Sequence, residues 1–198
     1  MSATAPLPFS VCVYCGSRPG RQPEYVDLAN RLGAAIGRRG WQLVYGGGRA
    51  GLMGAVADSA LSHGAKVLGV IPESLMQREV GHPGLTEMVV VQTMHQRKQL
   101  MAEHSSAFLA MPGGIGTFEE LFEAWTWRHL GYHQRPIGLL DTQGYWQPLI
   151  GFLKRSCADG FMDAEQMSML HVDDDVERML DWIETCASGA DAEEFRQI

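Results

Sequence analysis

An apolar run closed by a glycine turn and followed at once by residues at helical spacing is what most restricts how this chain can fold. It occurs at Trp41 to Tyr45, which leads into Gly46-Gly47-Gly48 and a helix carrying Val56, Ala60 and Leu61. It recurs at Ala107 to Ala110, which leads into Pro112-Gly113-Gly114 and a helix carrying Leu121, Phe122, Trp125 and Leu130. Val11 to Tyr14, followed by Cys15-Gly16-Ser17, begins in the same way. Apolar runs this short suit strands buried on both faces. The alternation continues along the chain, with strands expected near 10–15, 41–45, 66–71, 86–91, 106–110 and 136–141 and a short last one near 170–172. Helices are expected near 22–39, 51–63, 93–104, 117–130, 145–158 and 174–186. Strands that alternate with helices form parallel β-α-β crossovers, so the expected fold is α/β: a Rossmann-like, doubly wound parallel sheet with helices on both faces. In such sheets the strand ends share one crevice, and three small-residue turns can line a single pocket.

Met111 to Glu120, MPGGIGTFEE, carries the most chemistry. Gly113, Gly114 and Gly116 let the backbone approach a ligand closely, and the first N–H groups of the helix that follows have no partner inside it. Together these make an anion site, most often one for phosphate. Thr117 adds a hydroxyl donor. Glu119 and Glu120 repel phosphate and so serve another part of the ligand. The same residues also fit a structural reading, because Thr117-x-x-Glu120 matches the capping box in which threonine caps the helix and the glutamate returns a hydrogen bond. The second turn matches the dinucleotide fingerprint at Gly46, Gly48 and Gly51, with Glu73 near the end of the next strand where a ribose-binding acid belongs. An NAD-dependent oxidoreductase is therefore a rival reading.

Composition narrows the choice. A chain of 198 residues that is 45% apolar holds one sizeable core and is short for a Rossmann domain plus a separate catalytic domain. The expectation is one compact nucleotide-binding enzyme domain over 1–198, with the small and charged segment 188–198 as a disordered tail. A net charge of −7 gives no general attraction for nucleic acid or anionic membrane. No apolar stretch approaches the roughly 20 residues of a membrane span, and the start lacks a signal-peptide pattern, so the protein reads as cytoplasmic. Cys12 and Cys15 form a C-x-x-C within or beside a strand, where residues three apart point to opposite faces, which suits burial better than a metal or redox pair. The histidines show no paired-ligand spacing, and no metal or organic cofactor is expected.

A third segment, Thr93 to Met101, starts a helix just after the run Glu87 to Val91 and so faces the sheet edge that carries the glycine turns. Its Arg97 and Lys98 diverge by about 100° on a helix, so one can reach a pocket while the other meets solvent or a partner. A solvated basic pair is the plain alternative. The shared edge favours a site.

Pro112 to Glu120, read as P-G-G-x-G-T-x-x-E, together with Met94 to Lys98, read as M-x-x-R-K, resembles the Lonely Guy family of cytokinin riboside 5'-monophosphate phosphoribohydrolases. The resemblance also takes in Cys15 to Ser17, Gly46 to Gly54, Glu79 to His82 and Leu130 to His133, and covers about residues 9 to 185. It implies a Rossmann-like homodimer that cleaves the N-glycosidic bond of an N6-prenyladenosine monophosphate, giving free base and ribose 5-phosphate. It further implies that Arg97 and Glu120 are the catalytic pair, that Gly113, Gly114, Gly116 and Thr117 hold the phosphate, and that Ile115 borders the substrate. Glu79, Lys98, Glu119 and Thr126 would complete the ligand contacts, joined by Ser17, Gly46 and Gly47 from the other turns. Relatives in this superfamily often bear the label lysine decarboxylase, but no lysine here sits in a pyridoxal phosphate context.

These residue types suit the reaction. Breaking a ribosyl C–N bond builds positive charge on the sugar, as in glycoside hydrolysis. A carboxylate such as Glu120 can stabilise that charge, orient water or hold the ribose hydroxyls. The Arg97 guanidinium can neutralise phosphate or assist departure of the base. Besides the oxidoreductase, a nucleotide carrier without turnover and an AMP nucleosidase remain as alternatives. Base release from AMP excludes the carrier, and a cofactor titration tests the oxidoreductase.

Overall fold

We describe residues 9–79 and 81–188 of a computed structural model; the side chains of residues 77–79 and 188 lie outside the description, as does the expected disordered tail from residue 189 onward. Seven strands form one sheet: β1 (Ser10–Tyr14), β2 (Gln42–Tyr45), β3 (Lys66–Pro72), β4 (Glu87–Val91), β5 (Ala107–Ala110), β6 (Ile137–Leu140) and β7 (Leu170–Asp173). All six pairings are parallel, in the order β4-β3-β2-β1-β5-β6-β7. The chain winds outward from β1 to β4, then returns to lay β5 beside β1 with Val11 opposite Ala107. That reversal is the switch point of a doubly wound sheet, where ligands bind beyond the carboxyl ends of the strands.

Side-chain alternation builds two cores, one on each sheet face. Val11, Val13 and Cys15 join the first, and Cys12 and Tyr14 the second. The C-x-x-C is thus divided between opposite faces, as a two-residue strand period requires. Burial pushes the Cys12 thiol up to about 12 and raises Cys15 as well, so neither is a ready thiolate. Helices α1 (Pro23–Arg38) and α2 (Gly51–Ser62) cover the first face. They bury Leu28, Leu32 and Ile36 and, from α2, Leu52, Val56 and Ala60 at helical spacing. A short α3 (Glu73–Glu79) links β3 to β4. The second face carries α4 (Met94–Glu103), α5 (Ile115–His129) and α6 (Gln147–Ala158), through Met101, Leu121, Trp125, Ile150 and Leu153. A short α7 (Ala164–Ser168) precedes β7, and the last helix, α8 (Val176–Ser188), returns to the first face with Met179, Leu180 and Ile183.

Two α-helices were not expected from sequence, α3 and α7. Both are too short to show a helical period, although α7 opens with a capping box between Asp163 and Gln166 that fits the usual signature. The other difference bears on the site. Helix α5 begins at Ile115, two residues before the expected start, with Gly114 as its N-cap and no side-chain cap bond. Thr117 is therefore inside the first turn and Glu120 a turn further on, which overturns the capping-box reading of this pair. The box belongs to α4, where Thr93 Oγ1 accepts from Gln96 N at 3.1 Å and Gln96 Oε1 accepts from Thr93 N at 3.2 Å.

Candidate active site

A cavity of about 540 Å³ opens beyond the ends of β1 and β5. Three loops floor and wall it. The turn after β1 supplies Gly16, Ser17 and Arg18, the turn after β5 supplies Pro112 to Thr117, and the start of α2 supplies Leu52 and Met53. These loops are laced together by the main chain. Gly16 N–H donates to the Pro112 carbonyl at 3.1 Å, while the Gly16 carbonyl accepts from Leu52 and Met53 at 3.0 and 3.3 Å.

That lacing decides the role of the second glycine loop. The first N–H groups of α2, which a dinucleotide would need, are taken by Gly16, and a Cβ on Gly51 would collide with the backbone of Ser17 and Arg18. The loop also follows β2 and not a strand at the switch point. Glu73 meets the Gln92 side chain at 3.4 Å and does not line the cavity. The geometry therefore withdraws support from the oxidoreductase reading. The glycines here serve close packing: Arg97 Nη2 donates to the Gly46 carbonyl at 3.3 Å, and a Cβ on Gly46 would overlap that guanidinium. Gly47, at φ +76°, offers its carbonyl to His82 N–H at 3.0 Å. Neither Gly46 nor Gly47 lines the cavity.

The turn after β5 behaves differently. A Cβ on Gly113 would strike Thr117 Oγ1, so this glycine lets the buried threonine fold back beneath the turn. At Gly114 and Gly116 a Cβ would meet nothing within 4 Å. Neither position has a positive φ. Their lack of side chains leaves room above the turn, where the unpaired N–H groups of the first turn of α5 are directed. An anion fits there by both donors and dipole.

Arg97 and Glu120 meet at the inner end of the cavity. Arg97 reaches in from α4 and Glu120 from α5, with Nη2 and Oε1 3.7 Å apart and side chains only 7% and 11% exposed. At that separation the two charges attract without a formed hydrogen bond. Arg97 Nε is buried and has no hydrogen-bond partner. A buried donor left unpaired is costly.

Several expected ligand contacts lie elsewhere. Lys98 turns away from Arg97 to bind Glu119 at 2.5 Å and Glu123 at 2.8 Å. Burial alone would lower its ammonium, but the two carboxylates outweigh that and hold it above its usual value. Neither Lys98, Glu119 nor Thr126 lines the cavity; the exposed Thr126 hydroxyl donates to its own helix at the Phe122 carbonyl, 2.7 Å away. The Glu79 side chain lies outside the described residues. Ser17, Gly113, Gly114, Ile115, Gly116, Thr117, Arg97 and Glu120 are brought together. Sequence reading missed Arg18, Tyr25 and Tyr145, which also line the cavity. Arg18 was within reach, one residue beyond Ser17. Tyr25 and Tyr145 carry no local signal.

Fold and site define a class: a doubly wound α/β protein whose switch point holds an anion-binding helix start beside a guanidinium and a carboxylate. The chain belongs to the family described as "Possible lysine decarboxylase", whose model matches residues 53–183. It is 49% identical over 173 residues to the cytokinin riboside 5'-monophosphate phosphoribohydrolase of Rhodococcoides fascians, covering 87% of each chain. It is 46% identical over 152 residues to the cytokinin riboside 5'-monophosphate phosphoribohydrolase LOG1 of Arabidopsis thaliana, covering 77% of this chain and 71% of that one. Among solved structures, the Moco carrier protein of Chlamydomonas reinhardtii superposes with a TM-score of 0.69 at 22% identity, over 91% of this chain and 98% of that one, a likeness of fold. The family's descriptive name does not fit the cavity as chemistry. The chain's lysines are Lys66, Lys98 and Lys154, and none lines it, so a pyridoxal phosphate Schiff base has no amine to form on.

Proposed function

We propose that the protein hydrolyses the N-glycosidic bond of cytokinin riboside 5'-monophosphates, releasing the free base and ribose 5-phosphate. One observation carries the reading: the open helix start at Gly114 to Thr117 and the Arg97–Glu120 pair share one cavity. Glu120 lies three residues beyond Thr117, about 4.5 Å of helix rise, so a phosphate on the turn sets the attached ribose beside the carboxylate. The ionised Glu120 stabilises the positive charge that grows on the ribose as the C–N bond breaks, and orients the attacking water. The Arg97 guanidinium lines the same cavity, donates to a ligand oxygen and, 3.7 Å from Glu120, holds the carboxylate in place. No step needs a metal or an organic cofactor. The relatives at 46% to 49% identity carry this activity in their names, which supports the reading over a carrier on the same fold.

The preferred base is an N6-prenylated adenine, with AMP as a poorer substrate. Apolar Leu52, Met53 and Ile115 border the cavity, and burial of a few methyl-sized groups supports a preference of about 1 to 3 kcal/mol. The working unit is a homodimer in the cytoplasm. Incubation with isopentenyladenosine monophosphate and with AMP, followed by chromatography of the bases, tests the reading. Isopentenyladenine should appear with the higher catalytic efficiency. Equal efficiencies would make the protein a general AMP nucleosidase, and release of neither base would overturn the assignment.

A further inference from the structure

We infer that Tyr145 is a positioning residue for phosphate recognition, acting through the Gly113 carbonyl; the inference rests on the phosphate reading of the turn after β5. Tyr145 comes from the β6–α6 connection, and its hydroxyl donates to the Gly113 carbonyl 32 positions earlier in the chain. In a trans peptide the carbonyl of one residue and the N–H of the next point in opposite directions. A hydroxyl that fixes the Gly113 carbonyl therefore also fixes the direction of the Gly114 N–H, the first donor of the anion site. Gly114 has particular need of such a brace. It caps α5 without any side-chain bond, and its surroundings are open, so its own contacts do little to choose one orientation of the peptide.

Tyr145 is in turn held from three sides. Buried Asp141 at the end of β6 accepts from Trp146 N–H at 2.7 Å through Oδ1 and from the Gln147 side chain through Oδ2, which pins the turn that carries Tyr145. Trp146 is fully buried, donates from Nε1 to the Leu140 carbonyl at 3.1 Å and meets the Tyr145 ring edge-on at 5.1 Å. Tyr25 of α1 also meets the same ring edge-on at 5.9 Å. The rings fix where the hydroxyl sits; the hydroxyl fixes the peptide. Preorganised donors of this kind raise affinity because less ordering is left for the moment of binding.

Tyr145→Phe separates the hydroxyl from the ring, since phenylalanine keeps both edge contacts. Binding of ribose 5-phosphate by calorimetry and kinetics on isopentenyladenosine monophosphate and on its unphosphorylated nucleoside would be compared with the unmodified protein. The expected result is roughly tenfold weaker binding and a comparable rise in KM for the monophosphate, with kcat less affected, the nucleoside rate unchanged and the melting temperature within a few degrees. Unchanged binding and KM in the folded variant would overturn the role of Tyr145 while leaving the phosphate site intact. An equal loss on nucleoside and monophosphate would make the residue merely structural. Failure of the unmodified protein to bind ribose 5-phosphate would overturn the phosphate reading, and this inference with it.

Discussion

At the scale of the residue, the roles assigned to Glu120 and Gly116 can be told apart from structural duty. Glu120 is not part of a helix cap, and glutamine keeps its shape and its acceptor beside Arg97, so Glu120→Gln should change stability by no more than about 1 to 2 kcal/mol. It removes the negative charge. Turnover of the monophosphate should fall by roughly two orders of magnitude or more, as for loss of a preorganised electrostatic group. Near-normal turnover by the folded variant would show that the carboxylate is not catalytic. Gly116 lies inside the first turn of α5 with open space where a Cβ would be. Alanine is the better helix former, so Gly116→Ala should leave stability unchanged or raise it by up to about 1 kcal/mol. The methyl group enters the ligand's space, and catalytic efficiency should drop by about tenfold or more, a loss that steady-state kinetics beside a urea titration would reveal. The glycine turn was legible in the sequence because turn chemistry is local. Tyr145 was not, because its partner is 32 positions away and nothing near it in the chain announces the contact.

Among the elements, strands and long helices were read closely because their apolar periods are regular, whereas α3 and α7 are too short to have one. The two-residue error at the start of α5 has a plain cause. Threonine is a favoured cap, and only the fold reveals that Gly114 takes that position. One side chain ties α5 to the loop that follows it. His133 donates from Nε2 to the Ala124 carbonyl at 2.9 Å and accepts at Nδ1 from Arg135 N–H at 3.1 Å, an arrangement only the neutral ring can make. Burial, aided by the nearby charges of Arg135 and Arg128, lowers its pKa from 6.5 to about 4. The unfolded chain then binds this proton near pH 6.5 and the folded chain only near pH 4, so stability is full above pH 6.5 and declines as pH falls between the two. The loss reaches at most roughly 3 kcal/mol. Urea midpoints at pH 7 and pH 5 should differ for the unmodified protein and much less for His133→Gln; the same difference in both would assign the acid sensitivity to other groups.

For the whole molecule, the alternation of short apolar runs with helical segments was enough to give a doubly wound parallel sheet, since few other arrangements bury both faces of such strands. The strand order was not legible, and with it went the reason why one glycine turn faces the ligand while the other supports Arg97. The apolar side chains Met101 of α4 and Leu121 and Trp125 of α5 are used inside the protomer, where they join the core. What remains exposed on these two helices includes Met94 of α4 and Leu130 at the end of α5, 41% and 59% exposed. A two-fold pair through the α4 and α5 side would cover them. Light scattering at micromolar concentration should give twice the mass of one chain, and a monomer would contradict it.

In the proposed function a phosphate held at Gly114 to Thr117 sets the ribose against Glu120. Binding energy from that remote group then lowers the barrier to C–N cleavage and does more than tighten binding. The most direct measurement is kcat/KM for base release from isopentenyladenosine 5'-monophosphate against that from the nucleoside lacking the phosphate. A ratio of about 100 or more is expected, since several charge-assisted hydrogen bonds vanish together. Comparable efficiencies on the two would contradict the phosphate assignment and the placement of Arg97 and Glu120 that depends on it.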